Sequence, residues 1–144
     1  MPSEKRRALG RELSVVARRW RNRLDERLKA LEMSQARWTV LNAIRHADGG
    51  LSQKALAEHA GIEPATLVRM IDALEAQGLV ERRASQDDRR INLVHLRPAA
   101  TPLITQMDEI DAALSSELLQ DYNGEDLGAL VDLLRALRSK LDHI

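Results

Sequence analysis

The sequence predicts a mainly α chain with one small β-hairpin, an α+β fold. Three observations carry that prediction. Apolar residues recur at three- and four-residue steps over most of the chain, short helical runs near the middle meet at a glycine, and the period shortens to a β-prone pattern after Gly78 before lengthening again beyond Pro98.

Leu9, Leu13, Val16, Trp20, Leu24, Leu28 and Leu31 place one apolar stripe along a helix from about 5 to 31, opposite an arginine-rich face. Ser34 suits the cap of a second helix carrying Trp38, Leu41 and Ile44, which stops at the turn signal Asp48-Gly49-Gly50. Ser52 caps a third, with Gln53, Leu56 and Ala60 inward, and Gly61 supplies a left-handed turn. Pro64 fits the first position of a fourth helix that buries Leu67, Ile71 and Leu74 and ends at Gly78. Thr66, Arg69, Asp72 and Ala73 then face outward, with Val68 at the edge. LVERRA (79–84) and INLVHL (91–96) flank SQDDRR, a hairpin whose loop exceeds two residues. Leu103, Met107, Ile110, Leu114 and Leu118 restore the helical period, and Asn123 with Asp126 opens a last helix through Leu127, Leu130, Leu134, Leu137 and Leu141.

At 144 residues the chain suits a single domain, 1–144, with about 34–97 forming a lobe and the long helices of about 1–33 and 98–144 flanking it. Two tryptophans, one tyrosine and no phenylalanine require a core of aliphatic side chains and methionine. The absence of cysteine excludes disulfides, thiolate metal sites and sensing by the chain's own thiol. His46, His59, His95 and His143 stand on separate elements without ligand spacing, so neither a metal nor another cofactor is expected. No Gly-rich phosphate loop, G-x-S-x-G or H-E-x-x-H occurs, and an enzyme is not expected. No apolar run approaches the roughly 18 residues of a membrane span, and MPSEKRR lacks a secretion segment, so the expected location is cytoplasmic with no membrane partner.

Net charge is zero, yet residues 1–37 carry eleven Lys/Arg against five Asp/Glu, while 98–144 carry three against nine. Such polarity lets a basic segment lie against an acidic one and still leaves a positive surface for an anionic partner. The flanking leucine stripes would face water in an isolated chain. A symmetric homodimer buries them; a monomeric bundle folded onto its own middle is the alternative.

Residues 52–78 have the layout of a helix-turn-helix, and the charged hairpin after them makes the order that of a winged helix-turn-helix. The second helix of the pair suits a major groove of double-stranded DNA, its N-terminus a phosphate, and Thr66 and Arg69 the base edges. Arg90 at the hairpin tip can reach a minor groove, held by the Asp88 carboxylate two residues before it. The plainer readings are a solvated helix face and an edge strand guarded by charge. A winged-helix module that binds proteins and not DNA also remains open.

WRNRLDERLKALEMSQARWTVL (20–41), LSQKALAEHAGIEPATLVRMIDALEAQGLVERR (51–83) and the Asp-x-Arg motif DRR (88–90) resemble the MarR family of bacterial transcriptional regulators, most closely its SlyA-like branch, over nearly the whole chain. The resemblance implies a homodimer of winged-helix lobes on helical dimerisation regions, usually a repressor, bound to a palindromic operator. It assigns Pro64, Ala65, Thr66 and Arg69 to the recognition helix, Arg90 to the minor groove with Asp88 positioning it, and Arg82, Arg83 and Arg89 to phosphates. Two departures are visible: the branch more often has its proline at the position of Ala65, and LRPAA (96–100) replaces a Leu-Thr followed by a glycine turn. The resemblance also implies release from DNA by a small aromatic carboxylate, at the positions matching Arg18, Arg21 and Trp38. Arg18 and Arg21 are three apart on one helix face, so two guanidinium forks could meet one carboxylate beside an indole. Equally, both could pair with acids of 108–126 while Trp38 serves the core.

Overall fold

The structure, a computed structural model, describes residues 2–48 and 50–144. Gly49, part of the expected turn at 48–50, lies outside the described residues. The chain divides into two compact units, Met1–Asp111 and Ala112–Ile144.

In the first unit, α1 (Pro2–Leu28) tightens into a 3₁₀ turn (Lys29–Leu31), three residues short of the α-helical end expected at 31. Glu32 turns the chain there at φ 57°, its N–H donating to the Lys29 carbonyl at 2.9 Å while the Met33 N–H reaches the Leu28 carbonyl at 3.1 Å. Two of the last orphan carbonyls are thereby satisfied. Ser34 caps α2 (Gln35–Arg45) by accepting from the Arg37 N–H at 3.2 Å. Asp25 of α1 accepts from the Gln35 N–H at 2.6 Å, which ties the start of α2 to α1.

Ser52 Oγ accepts from the Ala55 N–H at 3.1 Å and starts α3 (Gln53–Ala60). Gly61 follows at φ 65°, ψ 36°, a left-handed conformation that a Cβ disfavours, and the Ile62 N–H closes back on the Ala57 carbonyl at 3.0 Å. This turn aims α4 (Pro64–Ala76), whose Leu67, Ile71 and Leu74 are wholly buried. The stripe predicted from spacing is the one observed.

The expected hairpin is present as β2 (Val80–Ala84) and β3 (Asn92–Leu96), paired antiparallel with Val80 opposite Leu96 and Ala84 opposite Asn92. It is not alone. A third strand, β1 (Leu51–Ser52), pairs with β3 on its other side, giving the order β1-β3-β2. Two residues are too few to show an alternating pattern, so only the pairing reveals the strand. A Cβ on Gly50 would lie 2.8 Å from the His95 ring and 2.9 Å from the Val94 carbonyl oxygen, so this close approach to β3 requires glycine. The core of the unit gathers Leu24 and Leu28, Val40, Leu41 and Ile44, Leu56, the α4 stripe, Val80, Val94, Ile104 and Met107. These are aliphatic side chains and methionine, as the composition requires.

α5 (Ala100–Leu119) starts in the first unit and ends in the second, and Asn123 Oδ1 accepts from the Asp126 N–H at 2.7 Å to cap α6 (Gly124–Asp142). Leu9, Leu13 and Val16 of α1 are exposed, and so, in the second unit, are Leu130, Leu133, Leu134 and Leu141 of α6. Among the described residues no helix is long and apolar enough to cross a membrane.

Candidate nucleic-acid interface and effector cleft

The first turn of α4 is open. Glu63 precedes it without a side-chain cap, Pro64 has no N–H to satisfy, and the Leu67 N–H already bonds the Glu63 carbonyl at 2.9 Å. The amides of Ala65 and Thr66 therefore face the start of the helix with the positive end of its dipole. Pro64, Ala65, Thr66 and Arg69 are all exposed, and the Arg69 guanidinium lies 3.5 Å from Thr66 Oγ1, a long, weak contact that leaves its fork available.

The wing tip is locally ordered by side chains. Ser85 Oγ accepts from the Asp87 and Asp88 N–H groups at 3.2 and 3.4 Å, and the Ser85 N–H donates to the Ile91 carbonyl at 2.8 Å. Asp88 then receives Arg90 three times: Oδ1 accepts from the Arg90 N–H at 3.0 Å and from Nε at 3.1 Å, and Oδ2 from Nη2 at 3.2 Å. This is a bidentate fork with a backbone bond added. Those bonds, side chain first and then backbone, hold the Asp88 carboxyl below its ordinary value. Yet the Arg90 side chain remains 89% exposed. Its orientation is set and its outer surface is free. Arg89 beside it is exposed as well.

Arg82 and Arg83 separate. Arg83 points outward and pairs with Glu81 of its own strand. Arg82 shares the inward face of β2 with buried Val80, and only 19% of its side chain is exposed. Its Nη2 donates to Asp72 Oδ1 at 2.7 Å, Nη1 to Glu75 Oε1 at 2.9 Å, and Nε to Gln53 Oε1 of α3 at 2.9 Å, while its backbone N–H donates to Glu75 Oε2 at 3.1 Å. Every limb of the guanidinium is occupied inside the lobe, so none is left free for the expected phosphate contact in this arrangement. Gln53, Asp72 and Glu75 were not singled out as a group, although Asp72 and Glu75 stand three apart on one face of α4 and strand alternation puts Arg82 toward it.

A second feature lies between α1, α2 and α5. A cleft of about 260 Å³ is lined by Ala17, Trp20, Arg21, Leu24, Gln35, Trp38 and Asp111. It brings together Arg21 and Trp38 from the expected set; Arg18 is exposed and is not among the lining residues. Trp38 Nε1 donates to Asp108 Oδ1 at 3.0 Å, and Arg45 Nη1 pairs with Asp108 Oδ2 at 2.9 Å, so the indole is fixed by α5. Burial, and secondarily the nearby Asp108 charge, raises the Asp111 carboxyl above its ordinary value. Trp20 was not anticipated, since it reads as core in the apolar stripe; Asp111 belongs to the acids of 108–126 weighed as partners of Arg18 and Arg21, and it lines the cleft with Arg21 without forming an ion pair among the described residues.

The MarR family's sequence model matches residues 31–91, which span α2 to the wing tip. A solved structure of the transcriptional regulator PA3341 is 34% identical, covers 94% of this chain and 99% of its own, and superposes with a TM-score of 0.84. Wild-type MarR from E. coli, in its apo form, is 28% identical over 90% of this chain and 96% of its own, with a TM-score of 0.79. CouR from Rhodococcus jostii RHA1, solved bound to p-coumaroyl-CoA, shares the fold at 22% identity, with 90% of each chain covered and a TM-score of 0.79. With the winged helix, the Asp88–Arg90 fork and these matches together, the chain belongs to the MarR family of transcriptional regulators.

Proposed function

We propose that the protein is a cytoplasmic homodimer that binds double-stranded DNA at a pseudo-palindromic operator and acts as a repressor released by a small aromatic carboxylate. The observation that carries the DNA reading is the wing tip: Arg90 is oriented by Asp88 through both carboxylate oxygens and still presents its outer surface to solvent. A cation so preset loses less rotamer freedom on entering a minor groove, where negative potential is focused. On the same lobe, the Ala65 and Thr66 amides suit a phosphate, while Thr66 and Arg69 suit base edges in the major groove. Arg83 and Arg89 supply phosphate contacts from the strand and the tip. Arg82 supports them from within.

Dimerisation is supported by the exposed leucines of α1 and α6, each a stripe that needs a cover. Repression is the mode that family membership favours. The effector reading rests on the cleft lined by Arg21 and two indoles, and a benzene-sized cavity is on the order of 150 Å³, so one substituted ring fits.

Gel-shift titrations of parent, Arg69→Ala and Arg90→Ala on selected DNA fragments test the assignment. Arg69→Ala should cost about 1–3 kcal/mol on the preferred site and relax sequence preference. Arg90→Ala should weaken binding to all sequences and reduce the slope of affinity against salt. No binding by the parent even at low salt would favour the protein-binding module instead.

A further inference from the structure

The acidic residue in the cleft sets a requirement that an aromatic acid alone does not meet. Asp108 and Asp111 sit one helical turn apart on α5, but their surroundings differ. Asp108 has both oxygens in use, one on the Trp38 indole N–H and one on Arg45. Asp111 has no hydrogen-bond or ion-pair partner among the described residues, although it is half-buried in the cleft wall. Arg21 lines the same cleft, likewise without an ion-pair partner among the described residues. The two opposite charges line one cavity and do not meet.

A ligand carrying only a carboxylate would satisfy Arg21 and leave the Asp111 charge both desolvated and repelled by the new anion. A ligand carrying only an ammonium would satisfy Asp111 and leave Arg21 as it was. A ring bearing both groups closes both pairs at once, with Trp20 and Trp38 for its faces and, at the cationic end, a favourable cation–π field. We infer that the cleft selects an aromatic ampholyte, a ring carrying a carboxylate for Arg21 and an amine for Asp111. The inference rests on the effector-cleft reading above, and adds to it the second charge of the ligand. The volume of about 260 Å³ admits one ring with two short substituents.

The test uses three matched probes, 4-(aminomethyl)benzoate, 4-methylbenzoate and 4-methylbenzylamine, titrated into the full-length protein. Trp20 and Trp38 are the only tryptophans in the chain and both line the cleft, so their fluorescence reports occupancy directly. The expected result is that the ampholyte binds about tenfold tighter than either singly charged probe, the ratio one added close ion pair supplies. Asp111→Asn should bring the ampholyte down to the affinity of 4-methylbenzoate, and Arg21→Gln to that of 4-methylbenzylamine. Arg21 is exposed and Asp111→Asn is isosteric, so neither change disturbs the core, and a melting curve checks that each variant remains folded. If 4-methylbenzoate binds as tightly as the ampholyte and Asp111→Asn alters neither, the ampholyte inference is overturned and the effector cleft stands. If no probe changes the fluorescence at millimolar concentration, the cleft reading falls and the inference with it.

Discussion

Asp88 shows how a single carboxylate can organise an exposed hairpin tip, holding Arg90 by both its backbone and its side chain. Because Arg90 lowers its pKa, the interaction is present in full above the ordinary carboxylate range and is lost only as pH falls through the lowered value. Asp88→Asn should therefore weaken operator binding a few-fold at neutral pH, less than Arg90→Ala does, while the parent keeps its wing order into mild acid; fluorescence anisotropy across pH checks both. Asp111 behaves in the opposite sense. Its raised pKa means that its contribution is most favourable below the unfolded value and declines as pH rises through the folded one. Asp111→Asn should raise the melting temperature at neutral pH, with the gap from the parent closing in acid. The Asp88–Arg90 pair was legible because its two members are two residues apart in a motif. The roles of Arg82 and Arg83 were not, since adjacent arginines look alike in a string and differ only once the strand sends one inward.

At the scale of elements, Arg82 joins β2 to Asp72 and Glu75 of α4 and to Gln53 of α3, and on the proposed DNA reading it neutralises two carboxylates of the helix that would approach phosphates. It ties the hairpin to α4 and pairs with the Asp72 and Glu75 carboxylates. Arg82→Ala should lower lobe stability by about 1 kcal/mol, because Asp72 and Glu75 are themselves exposed enough to regain water. It should also reduce DNA affinity while leaving the salt slope at the parental value, whereas Arg90→Ala should reduce that slope by about one. A slope that fell equally in both variants would restore Arg82 to the phosphate contacts. Leu67→Ala, which opens the wholly buried α4 stripe, should cost about 2–5 kcal/mol in chemical denaturation. Helix positions and caps were readable because period and capping residues are local: Ser34, Ser52 and Asn123 each cap as their spacing implies. The strand β1 was not, because its existence depends on a partner more than forty residues away.

For the whole molecule, the proposed function requires two copies. One lobe would supply the contacts of a half-site, and selectivity over a full operator would come from a symmetric pair. The sequence suggested this through leucine stripes with nothing to cover them; Leu24, Leu28, Met107 and Leu114 of those stripes are buried within the single chain, whereas Leu9, Leu13, Val16, Leu118, Leu130, Leu134 and Leu141 are exposed, and spacing alone does not determine what covers them. Replacing Leu130 and Leu134 together by glutamate should yield a monomer in sedimentation velocity, with operator affinity reduced by more than about tenfold as one half-site contact is lost. The most direct measurement of the central claim is selection of fragments from a random DNA pool by the purified protein, followed by sequencing. The account predicts one enriched pseudo-palindrome whose half-site centres lie one helical turn, about 10 bp, apart. A pool with no enriched motif at low salt, or a motif without two-fold symmetry, would contradict it.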